Sequence, residues 1–156
     1  MKRVIFLLSL LMLLGCKSKN VIQKPIEANI IKLTLSLIDE KQKSKTLEIG
    51  KRVLMTCNIS KFKPFNSSEA TPSVIKNMTQ DRLTKTCLKF RLKYGDFKDL
   101  QLVEAFKNNE DKNVIFRYKA LYEKKIANKE LRIFLNEKNQ VSAIKSFDWV
   151  DTFTNK

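Results

Sequence analysis

The C-terminal half of the chain alternates apolar and polar positions with period two, the mark of strands with one buried face. Leu100, Leu102 and Val103 open a short strand that reaches Phe106. Val114, Phe116, Tyr118, Ala120 and Tyr122 alternate with Ile115, Arg117, Lys119, Leu121 and Glu123. Leu131, Ile133 and Leu135 alternate with Arg132 and Phe134. Val141 to Trp149 makes a last strand, with Val141, Ala143 and either Phe147 or Trp149 on the core side. The connections 108–111, 124–128 and 136–140 are rich in Asn, Lys and Glu. Connections that short predict an antiparallel four-strand meander.

Ahead of the strands the period is helical. Leu47, Val53, Leu54 and Cys57 predict a helix over 46–59, with Gly50 counting against it. The stretch 61–71 is irregular. Thr71 as N-cap and Pro72 at the first position start a second helix. Along it Leu83, Cys87, Phe90 and Tyr94 share one face, Arg82, Lys85, Lys89 and Lys93 share the other, and Gly95 ends it. The Lys/Arg stripe reads as a solvated face. Further upstream, Ile31, Leu33, Leu35 and Leu37 alternate with Lys32, Thr34 and Ser36, so both a strand and a helix fit 30–38. Residues 39–45 read as a charged loop. Helices followed by strands predict an α+β fold, two to three helices on the sheet, with the sheet's other face left wet.

The first residues are a different kind of segment. Met1-Lys2-Arg3 is positive, Val4 to Leu14 is apolar, and Gly15-Cys16 precedes Lys17-Ser18-Lys19. This is the layout of a secretory signal. A membrane span needs ~20 apolar residues, and this run is shorter and closed by a lysine, which is costly in hydrocarbon. Leu13-Leu14-Gly15-Cys16 resembles a lipobox, with Leu13 and Gly15 matching and Leu14 standing where a small residue or Val is more usual. The resemblance implies cleavage between Gly15 and Cys16 and a lipid on the Cys16 sulfur. Residues 1–15 are then a signal peptide, 16–27 a lipidated tether, and 28–156 a single domain with its core at about 46–151. Two or more acyl chains hold stably where one does not. The implied place is the cell envelope. No Asp follows Cys16, which favours the periplasmic side of the outer membrane.

The formal net charge is +15, of which the leader's Lys2 and Arg3 carry two. Only six basic residues are Arg, the residue best suited to reading phosphates and bases. Solubility in an AT-rich, lysine-rich composition explains the charge, and a nucleic-acid partner is not expected. The absence of His excludes Ser-His and Cys-His nucleophile pairs and His metal sites, and no cofactor or metal is expected. With Cys16 lipidated, Cys57 and Cys87 remain. Both a disulfide and two small buried thiols fit them.

The order helix, loop, helix, the turn Tyr94-Gly95-Asp96-Phe97, and the strand pair from Glu130 to Phe147 are similar to the nuclear transport factor 2-like superfamily, over roughly 46–151. That resemblance implies a curved, cone-like sheet wrapped by helices around an apolar pocket. Enzymes of the superfamily often place Asp, His or Tyr inside the cone. Here Asp96, Asp99, Asp148 and Asp151 fall near turns or the chain end, Tyr118, Tyr122 and Trp149 are candidate pocket aromatics, and Glu104 has no acidic partner on its face. Fold alone does not fix function. The expectation is a membrane-anchored, non-catalytic binding or interaction module. Its partners are the membrane, through the lipid, and an envelope protein or small apolar ligand. The alternative is an envelope enzyme using Asp and Tyr.

Overall fold

A computed structural model of the chain describes residues 29–124 and 129–155. The expectations of a signal peptide over 1–15, a lipidated Cys16 and a tether over 16–27 fall on residues outside the described ones.

The elements are β1 (Ile30–Leu33), a 3-10 turn (Leu35–Leu37), α1 (Glu40–Ile59), α2 (Pro72–Asn77), α3 (Gln80–Tyr94), β2 (Phe97–Asn108), β3 (Asn113–Tyr122), β4 (Lys129–Asn136) and β5 (Val141–Asp148). The strands form one antiparallel sheet in the order β1-β2-β3-β4-β5, open rather than closed, with the helices packed on one face. The fold is α+β, as expected. The sheet has five strands where four were expected. The extra one is β1, which pairs with the far end of β2, Ile30 opposite Asn108. A four-residue edge strand running into a 3-10 turn leaves too short a run for periodicity to resolve.

Helix α1 starts well before residue 46. The Asp39 side chain accepts a hydrogen bond from the Lys41 amide at 2.8 Å and caps it. Residues 40–45 are helical but none of them is buried, and Thr46 is the first residue of α1 to reach the core. Charge there marks the outlying first turns of a helix, not a loop. The stretch 72–94 is two helices. Met78 leaves helical geometry, and the Thr79 side chain accepts from the Arg82 amide to start α3. Gly50 does not weaken α1. It lets the helix approach the sheet, since a Cβ there would lie 2.5 Å from Leu100 Cδ2 and 3.1 Å from Ile133 and Leu131.

Ile49, Val53 and Leu54 from α1 meet Phe116, Tyr118, Leu131, Ile133 and Val141 in one core. A bulge alters the last strand. Leu135 pairs with Val141 and Phe134 with Ala143, so Ser142 is the extra residue. Beyond it the faces reverse. Ile144, not Ala143, joins the helix side, and Ala143 packs with Phe106, Ile115 and Phe134 on the other face. That outer face is not wet. The segment 149–155 folds back over it, and Phe153 stacks on Phe106 with ring centroids 3.9 Å apart.

Candidate functional site

The expected site residues disperse over the fold. Cys57 of α1 and Cys87 of α3 are joined in a disulfide, with Cα atoms 4.6 Å apart. The four Asp residues do not gather. Asp96 pairs with Arg91 at 3.0 Å, Asp99 with Lys51 at 2.9 Å and Asp148 with Lys129 at 2.7 Å. Exposed Asp151 accepts from the Trp149 indole at 3.1 Å. The Lys51 bond holds the Asp99 carboxyl below the usual carboxylate range, and the Lys129 bond does the same for Asp148. An acid catalyst needs the opposite, a carboxyl pushed up by burial. Tyr118 and Tyr122 are core residues. The Tyr118 hydroxyl lies 2.7 Å from Thr46 Oγ1, and burial pushes it up to about 12. Tyr122 packs among Phe90, Tyr94 and Phe97, and burial raises it too. Trp149 and Phe147 lie on the outer face, not the helix side. Phe116, Tyr118, Ile133 and Val141, each 0% exposed, fill the space between helices and sheet that a cone would leave open.

The outer face carries charge that sequence reasoning missed. Lys32 Nζ lies 2.6 Å from Glu104 Oε1, and Arg117 Nη1 donates to Glu104 Oε2 at 2.5 Å. Arg117 Nε donates to Glu130 Oε2 at 2.8 Å, and Arg132 donates to the other Glu130 oxygen. Glu104 therefore does have an acidic neighbour across Arg117, but both carboxylates face the guanidinium. Arg117, Glu130 and Arg132 are at most 2% exposed. The C-terminal segment completes the set. Arg117 donates to the Val150 carbonyl, and Arg132 donates to the Thr154 carbonyl at 2.7 Å. The Trp149 ring lies 4.3 Å from the Arg117 guanidinium, and the Phe147 and Phe153 rings each lie 4.4 Å from that of Arg132. Burial alone would raise the Glu104 carboxyl, but its bonds to Lys32 and Arg117 outweigh this and hold it below the usual range. Every carboxylate oxygen here is bound by a cation. The arrangement is a structural lock and offers no free base or nucleophile.

A third feature lies at one end of the sheet, where the β2–β3 and β4–β5 turns meet the start of α1. There a hollow of about 410 Å³ opens between the turns. Its rim is held by amides. Gln42 donates to Asn139 Oδ1 at 2.5 Å, tying α1 to the β4–β5 turn. Asn136 Oδ1 accepts from the amides of Lys138 and Gln140 at 3.0 and 2.9 Å. Lys112 and Asn139, one in each turn, hold positive φ of 49° and 56°. Asn113 lines the hollow, and its Oδ1 is buried without a hydrogen-bond partner among the described residues. In sequence these residues signal only turns, because nothing local says that two hairpin ends and a helix start converge.

No protein-family model, no curated protein and no solved structure matches the chain. Among the described residues, no group of three or more His, Cys, Asp and Glu is placed to hold a metal, and no helix is long and apolar enough to cross a membrane.

Proposed function

We propose that the chain is a bacterial envelope lipoprotein, anchored through Cys16, whose domain is a binding or interaction module of nuclear transport factor 2-like type. The observation that carries the mode of action is the filled interior. With Phe116, Tyr118, Ile133 and Val141 closing the space under the helices, the domain acts through its outer surfaces. Helices followed by antiparallel strands support the element order of that resemblance, with one edge strand more, while the filled interior departs from its apolar pocket. The Cys57–Cys87 disulfide suits an oxidising compartment, as an exported domain requires. The lipobox-like Leu13-Leu14-Gly15-Cys16 supplies the anchor, and the lack of Asp after Cys16 directs it to the outer membrane, periplasmic side. The enzyme alternative needs a buried, unpaired Asp near Tyr118 or Tyr122, and the ion pairs of Asp96, Asp99 and Asp148 work against it.

Labelled palmitate fed to a bacterium expressing the full chain tests the anchor. Label should enter the wild type, which sediments with membranes, and should be absent from Cys16→Ala. An unlabelled wild type ends the lipoprotein reading.

A further inference from the structure

We infer that the outward face of α1 and α3 docks on the surface of an anionic phospholipid bilayer. The inference names the partner of one outer surface and rests on the lipoprotein reading only for bringing a bilayer within reach.

The first ground is apolar surface left open to solvent. Eight large hydrophobic side chains are exposed among the described residues, and four of them stand on α1 and α3. Met55 and Ile59 of α1 are 37% and 60% exposed, and Leu88 and Leu92 of α3 are 65% and 71% exposed. Each pair is four residues apart and so shares one face of its helix. The opposite faces pack inward, since Ile49, Val53 and Leu54 of α1 and Cys87 and Tyr94 of α3 are buried. The Cys57–Cys87 bond joins the helices between the two pairs, next to Leu88 and two residues from Ile59. The groove beside it, lined by Thr56, Ser60, Thr84, Leu88 and Arg91, holds only about 90 Å³. Small-molecule sites begin at ~300 Å³, so this face offers a broad surface and not a pocket.

The second ground is charge. Residues 49–68 and 82–95, which hold both apolar pairs, contain nine Lys and Arg and no Asp or Glu. All five basic residues of α3 are exposed, and Arg91 alone among them forms an ion pair with a described residue, Asp96. Lys85 is three residues from Leu88 and Lys89 three from Leu92, so each leucine has a lysine beside it. Apolar side chains ringed by cations match the boundary between headgroups and acyl chains. There the apolar groups leave water while the cations meet the negative surface potential of the leaflet. Other partners fit less well. A second copy would set the same nine cations against one another. A nucleic-acid backbone would use the cations but not the apolar side chains between them. The sequence shows the basic stripe of α3, and the exposure of the leucines within it is what the fold adds.

The third ground is reach. Cys16 and Ile30 are fourteen residues apart, and a chain of that length spans at most about 45 Å. That exceeds the ~30 Å of a small domain. An anchor at Cys16 therefore lets this face turn onto the bilayer.

Lysine footprinting tests the surface in the full chain. The protein is mixed with vesicles of phosphatidylglycerol and phosphatidylcholine, or of phosphatidylcholine alone. A water-soluble acetylating ester is added, and mass spectrometry gives the rate at each lysine. On the anionic vesicles Lys85 and Lys89 should react about tenfold more slowly than on the zwitterionic ones, a scale that a few lysines at an anionic leaflet supply. Lys112 and Lys138, exposed in the hairpin turns, should react alike on both. Leu88→Ser/Leu92→Ser, which alters only exposed positions, should lose most of the protection. Should it disturb α3, Lys85→Gln/Lys89→Gln, read at Lys93, is a second variant with the same expected loss. Equal rates on the two kinds of vesicle, or equal slowing at Lys112 and Lys138, overturn the proposal. Full protection in the leucine variant would mean attraction to any polyanion and overturns the bilayer as partner. A chain that takes no palmitate yet shows the footprint loses its anchor and keeps this surface. A labelled chain without the footprint loses this surface alone.

Discussion

Arg117 shows what a single residue type decides in this protein. Its guanidinium reaches Glu104, Glu130 and the Val150 carbonyl at once, which needs several donors held in a fixed fork. A lysine would bring one point charge on a flexible stem. The scarce arginines are therefore spent on pairing, with Arg117 and Arg132 on the outer face and Arg52 bound to Glu48 and Glu69 beside the helices. Removing one member of a buried set strands the others, at ~3–5 kcal/mol. Glu130→Gln, which leaves two guanidinium groups facing a neutral amide, should lower unfolding stability by about that much. Urea denaturation measures it, and an unchanged midpoint would show the charges to be unneeded. The alternation of β3 and β4 places Arg117 and Arg132 opposite the core, and that much is legible in the sequence. Their burial is not, because it depends on a segment, 149–155, whose own residues have no period.

Among the elements, α1 tests packing against propensity. Gly50→Ala would favour an isolated helix by ~1 kcal/mol. In this protein the added Cβ meets Leu100, Ile133 and Leu131, all buried against the same sheet. Overpacking of a filled core costs ~1–3 kcal/mol, so the variant should be less stable, and a raised thermal midpoint would reverse the reading. The disulfide works between elements, closing a loop of 30 residues between α1 and α3. Its removal in Cys57→Ala/Cys87→Ala should cost about 3–4 kcal/mol by loss of chain restriction. Thiol titration of the native, unreduced protein should find neither residue free. Periodicity placed β2 to β5 and the helix-side face of β3, because those strands are long and their turns polar. It missed the early start of α1, the break at Met78 and the extra residue at Ser142. A cap, a kink and a bulge are each one-residue events, and no period records them.

At the scale of the molecule, the paired carboxylates set a pH window. Bonds to Arg52 hold the Glu69 carboxyl low, and Glu104 is also held low. A carboxylate lowered in the folded state gives stability that is complete above its ordinary value, here 4.5, and is lost as pH falls through the folded value. The urea midpoint should stay level from neutral pH down to about 5 and fall below that, with a shallower fall in Glu104→Gln. A midpoint that holds at about pH 3 would show that these pairs contribute nothing. The candidate hollow was the least legible feature. It is made by residues from α1, β2, β3 and β4 that only the folded chain brings together.

Trp149 is the single tryptophan of the chain, and it sits in the segment that crosses the outer face rather than in the core beneath the helices. Indole fluorescence therefore watches one event, the lifting of that segment from Arg117. The ellipticity of α1 to α3 watches another. Comparing the two signals during slow denaturation tells, without any label, whether the outer face opens before the core or with it.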